Sequence, residues 1–282
     1  MKKIGIYFIS IALIISGCSG KPNAEQDRML VVSFSIKSLT TTDMKSATTS
    51  DEEVISKVIL FGVNNQDAVI EKRLVTINTS LEGFQLTISQ DVKLLYAIAN
   101  PSETHLSAKP STVSDLLVLT DDFTNAPVSP FLMSGKANIN GNNINIALVR
   151  SVAKIVVIGE DGFQVQSVTV KDTPSKGFVF AQTTLSVPPS SNRVDYTDIS
   201  NSTIYVAENS KQNPTTLIVK GTVAGVPVKE KIFTFEKNGQ PIDIERNFCY
   251  KATISFDGQN ADISFNIVEW NDIDLDPLYF EY

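Results

Sequence analysis

Apolar and polar side chains alternate with a period of two along most of this chain, and that pattern confines it to half-buried β-strands. In "LVVSFSIK", Val32, Phe34 and Ile36 share one face while Ser33, Ser35 and Lys37 share the other. The alternation returns in "FQLTI" (Phe84, Leu86, Ile88), "NINIAL" (Ile144, Ile146, Leu148), "KIFTF" (Phe233, Phe235) and "ADISFNIVEW" (Ile263, Phe265, Ile267). Successive strand side chains point to opposite faces, so each run buries one side and wets the other. Turn chemistry separates the runs. Asn140-Gly141, Asp161-Gly162, Ala224-Gly225 and Asp257-Gly258 place glycine where a tight turn needs positive φ. The first of these reads as a hairpin joining "KANI" to "NNINIAL".

Helical periodicity is weak. Only "TVSDLLVLTDDF" and "SDEEVISK" read as short helices, the second with Ser50 or Asp51 as N-cap. The expected fold is therefore all-β: antiparallel sandwiches with a small helical insertion. Residues 38–51, "SLTTTDMKSATTSD", are rich in Thr and Ser without an apolar period, which predicts an exposed loop of the kind proteases cut. A second boundary falls near Arg150, inside "INIALVRSVAKIVVIG". The chain is long for one sandwich and comfortable for two domains, 18–150 and 151–282. No short internal repeat is visible.

Hydrophobic residues make up 42% of the chain and charged residues 20%, enough apolar material for packed cores. A net charge of −7 argues against nucleic acid, whose phosphates need a basic footprint. Catalytic chemistry is poorly supplied. His105 is the only histidine, and it lies in "PSETHLSAKPS", which reads as a solvated loop without metal-ligand or triad spacing. No Gly-rich phosphate cradle is present, and the carboxylates of "TDDF" and "EWNDIDLD" read as solvated charges rather than a glycosidase pair or calcium site. The composition thus points to a non-enzymatic protein with no cofactor and no metal.

The N-terminus reads as an address. Lys2 and Lys3 precede the apolar run Ile4–Ile15, which falls short of the roughly 20 residues a membrane-spanning helix needs and has the length of a signal-peptide core. The small residues Ser16 and Gly17 then close on Cys18. This resembles the bacterial lipobox, which implies removal of residues 1–17 and lipidation of Cys18. Cys249 is then left alone, so no intramolecular disulfide forms, and within "FCY" it reads as a buried, inert thiol.

Four further stretches carry a likeness: "LLYAIANPS" (94–102), "SPFLMSGKANI" (129–139), "VRSVAKIVV" (149–157), and "IERNFCYKATISF" (244–256) followed by "NIVEW". Read as residues alone, Tyr96 and Ile98 fit a central strand ended by Asn100-Pro101, and Trp270 fits a core plug. In their order and spacing, the stretches resemble the fimbrillin family, the lipoprotein precursors of Bacteroidales type V pili and their anchor and tip relatives. The resemblance implies two transthyretin-like β-sandwich domains, export to the outer membrane through the N-terminal lipid, and proteolysis in the loop after the first strand. Loss of that strand opens a groove which a strand from another subunit fills, a form of β-augmentation.

Carried onto this chain, residues 29–37 are the displaceable first strand, with Val32, Phe34 and Ile36 filling the groove. The donor tail would present Leu278, Phe280 and Tyr282, a pattern that serves an ordinary final strand equally well. Arginine-specific maturation fits poorly, because the loop holds only Lys45, while Arg28 precedes the strand and Arg73 follows the next one. The implied partners are other fimbrial subunits, the outer membrane, and host or bacterial surface ligands. An uncut, permanently lipidated copy would resemble the anchor at the pilus base. The rival reading is a non-polymerising surface lipoprotein that binds glycan or a host ligand.

Overall fold

Strands form where the alternation marks them. The computed structural model describes residues 27–37, 50–77, 80–199, 203–237, 239–256 and 261–269. From the N-terminal side these give β1 (Asp27–Ile36), β2 (Lys57–Val63), β3 (Val69–Thr76), β4 (Phe84–Ser89) and β5 (Leu94–Ala99). Two short helices, α1 (Glu103–Ser107) and α2 (Val113–Leu117), precede β6 (Thr120–Asp122), β7 (Met133–Asn138) and β8 (Asn143–Arg150). The chain continues through β9 (Val152–Gly159), β10 (Phe163–Pro174), β11 (Lys176–Phe178), β12 (Arg193–Ile199) and β13 (Thr203–Ala207). It then forms β14 (Thr216–Val223), β15 (Val226–Thr234), β16 (Glu236–Lys237), β17 (Gln240–Pro241), β18 (Phe248–Phe256) and β19 (Ala261–Glu269). The protein is an all-β sandwich.

Seven strands share one sheet in the order β3-β2-β5-β7-β8-β1-β4. Its two ends face each other, because β7 and β8 pair only at Met133↔Arg150 and Ser134↔Val149 before diverging. Two four-stranded sheets follow, β12-β10-β14-β15 and β13-β9-β18-β19. The two sets repeat strand for strand: β3-β2-β5-β7 corresponds to β12-β10-β14-β15, and β8-β1-β4 to β18-β9-β13, with β19 as the extra strand. Sandwich positions require only alternating apolarity, so the repeat lives in topology and leaves no mark as a sequence period. Each set also departs once from antiparallel pairing. Its first strand lies parallel to a late one, β1 to β8 and β9 to β18, with the intervening strands as the crossover.

Four apolar clusters lie among the described residues, the smallest gathering Phe123, Phe131, Val152 and Ala207. One lies inside the N-terminal sheet around Leu30, Val32, Leu60, Leu95, Ile146 and Leu148, and a second lies between the two C-terminal sheets around Ile155, Val170, Leu217 and Tyr250. The third covers the outer face of β2 and β5, where Tyr96 and Ile98 meet Leu116 of α2 and Val179 and Phe180 from beyond β11. Because β11 also pairs with β6, the later half of the chain reaches back onto the earlier one.

Local signals resolve unevenly. Ala224 (φ 49°) and Gly225 (φ 80°) form the two-residue turn between β14 and β15, and Asp161 (φ 52°) and Gly162 (φ 80°) link β9 to β10. The Asn140-Gly141 turn connects β7 to β8, but the strands it joins pair only far from it. Asp257-Gly258 lies outside the described residues. "TVSDLLVLTDDF" divides into α2, opened by a capping box between Thr112 and Asp115, and the short strand β6. "SDEEVISK" gives a single 3₁₀ turn, Ser50–Glu53.

Candidate functional site

The residues of β1 are held on both edges. Its C-terminal part runs parallel to β8, with Val32 opposite Ile144 and Phe34 opposite Ile146. Its N-terminal part runs antiparallel to β4, with Leu30 opposite Leu86 and Val32 opposite Phe84. Leu30, Val32 and Phe34 are buried in the N-terminal core, and Ile36 is half-buried against it. Phe34 packs on Phe84 with ring centroids 5.7 Å apart. Each such side chain contributes about 1.5–3 kcal/mol of burial. Taking β1 away would bare two strand edges and a row of apolar pockets without breaking any other pairing.

The described residues that flank segment 38–49, Lys37 before it and Glu52 after it, meet the same polar junction. On the near side, the Lys37 N–H donates to Leu148 O at 2.7 Å, and Lys37 O accepts from Asn247 Nδ2 at 3.2 Å. On the far side Glu52, almost fully buried, pairs with Lys154 Nζ at 2.9 Å and accepts from Tyr205 Oη at 2.5 Å. Arg150 joins the two sides. Its guanidinium is completely buried, donating from Nε to Glu52 O at 3.3 Å and from Nη1 to Asn247 Oδ1 at 3.1 Å. Burial pulls the Arg150 pKa below its ordinary value, against the opposing pull of Glu53 and Glu52. Burial, and then the Glu52 carboxylate, push the Tyr205 phenol well above its own. A second buried pair lies nearby: Arg246 grips Glu208 at 2.8 and 2.5 Å and donates to the Val179 and Phe178 carbonyls.

The sequence-marked residues fall in different places. Arg28 is not ahead of the first strand but inside it, paired to Ile88, with its guanidinium donating to Val92 O. A peptide bond in a paired strand is closed to a protease until the strand leaves. Cys18, Lys45, Trp270, Leu278, Phe280 and Tyr282 lie outside the described residues. His105 is not a solvated loop residue. It sits in α1 at 1% exposure, where Nδ1 accepts from Ser102 N and Oγ at 3.2 and 2.9 Å and Nε2 reaches Thr120 O at 3.0 Å. One neutral tautomer satisfies all three contacts and leaves neither nitrogen for chemistry. Cys249, read as buried, is half-buried on β18 opposite Lys154 and Val268. Among the described residues no group of His, Cys, Asp and Glu side chains has a metal-binding arrangement.

The four sequence stretches converge here. Asn100 donates from Nδ2 to Phe131 O at 2.8 Å, Ser151 N donates to Leu132 O at 2.9 Å, and Asn247 N donates to Val152 O at 2.8 Å. With the Arg150–Asn247 bond these contacts link "IANPS" to "SPFLM", "SPFLM" to "VRSVAK", and "VRSVAK" to "IERNF". Reading by alternation missed Glu52, Arg150, Arg246 and Asn247. The available signal was an arginine placed inside or beside an apolar strand run, where an unpaired charge would be costly.

Solved structures share this architecture. A protein named for cell adhesion from Bacteroides eggerthii matches with a TM-score of 0.62 at 18% identity, over 87% of this chain and 96% of its own. Another named for cell adhesion, from Parabacteroides distasonis, matches with a TM-score of 0.62 at 18% identity, over 87% and 97%. The tip fimbrial protein of Porphyromonas gingivalis, solved with a C-terminal truncation, matches with a TM-score of 0.60 at 13% identity, over 87% and 100%. The chain has the fold of these fimbrial and adhesion proteins. At such identities the likeness is one of fold, and it spans both repeated sets of strands rather than one. No protein-family model matches the sequence, and no curated protein matches it.

Proposed function

We propose that this chain is a fimbrillin-type structural component of fimbriae, exported as a lipoprotein through Cys18, held at the outer membrane, and assembled by strand exchange into a cell-surface fibre that contributes to adhesion. The observation that carries the reading is the position of β1. It is a central strand whose apolar face plugs the core, it is joined to the rest of the chain only through residues 38–49, and the residues flanking that segment, Lys37 and Glu52, are bonded into one junction. A cut there would leave β1 held by non-covalent contacts alone, the condition under which a donor strand can replace it. The fimbrial and adhesion neighbours support the same role. The division into domains 18–150 and 151–282, the donor tail bearing Leu278, Phe280 and Tyr282, and the other subunits as partners belong to this proposal.

A second reading, a non-polymerising anchor, is favoured by Arg28. Cleavage there would have to open a paired strand, and Lys45 is the remaining basic residue of the loop. Mass spectrometry of the mature N-terminus, from membranes and from sheared fibres separately, decides between them. A fibre-specific N-terminus within 38–51, abolished by Lys45→Ala, is the outcome expected for a subunit, and deletion of residues 278–282 should then stop polymerisation without unfolding the monomer. Acylated Cys18 on every copy would overturn strand exchange and leave the anchor.

A further inference from the structure

A cavity of about 290 Å³ opens on the outer face of the N-terminal sheet, where β7 and β8 part. Backbone fixes its floor: a Cβ on Gly135 would collide with Ala147 O, so the two strands touch there with no side chain between them. Its far wall is aromatic. Tyr96, opposite Lys136 in the sheet, meets Phe180 edge to face with ring centroids 5.1 Å apart. Gln182 Nε2 donates to Leu117 O at 3.0 Å and to Phe180 O at 2.9 Å, which ties α2 to the chain beyond β11 along this wall.

The charge of the lining selects the ligand. Lys37 and Lys136, both exposed, line the cavity and no aspartate or glutamate does, in a chain of net charge −7. Among the described residues neither ammonium has a carboxylate partner. Lys136 Nζ lies 5.7 Å from the centre of the Tyr96 ring, which places one cation against the aromatic wall. The Ser134 hydroxyl already donates to Val179 O at 2.7 Å. The side-chain donors left to a ligand are therefore two ammoniums, beside the half-buried apolar surfaces of Leu117 and Val149. An amine would be repelled here, and a sugar would find few acceptors. Size narrows the choice further, because the cavity has room for roughly ten non-hydrogen atoms, fewer than an extended peptide brings.

We propose that this cavity binds a small apolar carboxylic acid as its anion, the carboxylate accepting from Lys37 and Lys136 and the apolar body resting on Leu117 and Val149. Lys37 directly follows β1, so the site is complete while β1 is seated, and it stands whether or not β1 is later exchanged.

Saturation-transfer NMR on the full, uncut mature chain tests it, with 3-phenylpropionate as the anionic probe, 3-phenylpropionamide as the neutral one, 3-phenylpropylamine as the cationic one, and a peptide of residues 270–282 to represent an acidic, aromatic chain. The acid should bind saturably with a Kd of about 1 mM, the amide about 5-fold more weakly, and the amine and the peptide not at all. Lys37→Met and Lys136→Met should each weaken the acid about 5-fold while leaving the amide unchanged, a split that a merely structural role would not produce. Ala147→Leu adds bulk at an exposed wall position and should abolish binding of both acid and amide. Absence of saturable acid binding, equal affinity for acid and amide, acid binding that either lysine variant or Ala147→Leu leaves unmoved, or binding of the amine or the peptide would each overturn the assignment.

Discussion

Arg150 Nη1 donates to Asn247 Oδ1 at 3.1 Å across 97 residues of sequence, and the same Asn247 donates from Nδ2 to Lys37 O at the end of β1. One amide side chain therefore ties the first strand, the crossing from β8 to β9 and the approach to β18 into a single polar node. The completely buried guanidinium relies on Glu52 O and Asn247 Oδ1 as acceptors, so removing either leaves a buried donor without its bond.

Asn247→Ala should lose about 2–4 kcal/mol. Part is the bond to buried Arg150, worth about 1–3 kcal/mol, and part is the left-handed backbone at Asn247 (φ 63°), which costs alanine about 1–2 kcal/mol. Asn247→Gly removes the bonds but accepts the backbone, so it should be the milder by about 1 kcal/mol. Urea midpoints of the three proteins check this: equal losses in the two variants would show that the left-handed backbone contributes nothing, and an Asn247→Gly protein as stable as the native one would show that the amide contributes nothing.

Phe34→Ala should destabilise by about 3–4 kcal/mol, because it empties a packed site between β4 and β8. Ser35 points the other way, half-buried and accepting from Asn145 Nδ2 at 3.0 Å, and Ser35→Ala should change stability by less than about 0.5 kcal/mol. Chemical denaturation of the pair reads the two faces of β1 directly. Similar losses at both positions would contradict a one-sided plug.

Alternation carried the strands of the core far into view. Val32, Phe34, Ile88, Ile144, Ile146 and Leu148 are all buried as their periodicity demands, since a one-residue register slip would turn every one of them to solvent. Leu30, two residues before Val32 on the same face of the expected strand, is buried with them, and β1 begins at Asp27, two residues earlier than the pattern suggests. His105 escaped for a different reason. Its segment is polar and proline-flanked, and only the fold brings Thr120 O to its ring. The junction was invisible for the same reason: Glu52, Arg150 and Asn247 acquire their meaning from partners about 100 residues away. The topological repeat was hidden because equivalent strands need share only their apolar spacing.

Ala224→Asn should stabilise the protein by about 0.5–1 kcal/mol. Ala224 holds φ 49° in the tight turn between β14 and β15, a conformation that asparagine tolerates and that Asn-Gly turns favour. The side chain introduced there meets no demand from the core, since the turn only closes Val223 onto Val226. Thermal melts should show a higher Tm for the variant. An unchanged or lower Tm would mean that the turn's strain is relieved in some other way.

Stability should fall steeply above about pH 10. Burial is the first cause that raises the phenols of Tyr196, Tyr205 and Tyr250 above their ordinary value, and each phenol donates a hydrogen bond, to Phe123 O, Glu52 Oε1 and Asp243 O respectively. Above the unfolded-state pKa of about 10, the unfolded chain has released these protons while the native state still holds them. The unfolded state then binds fewer protons, so stability declines as pH rises, by about 1.4 kcal/mol per pH unit for each tyrosine involved. Below about pH 10 the contribution is fully present. Urea midpoints taken from about pH 8 to pH 11, read alongside tyrosinate absorbance, should show these phenols ionising only as the protein unfolds. Tyr196→Phe should cost about 1 kcal/mol at neutral pH through the lost bond to Phe123 O, yet flatten the alkaline slope. Ionisation of all the tyrosines near pH 10 in a chain that stays folded would be incompatible with this account.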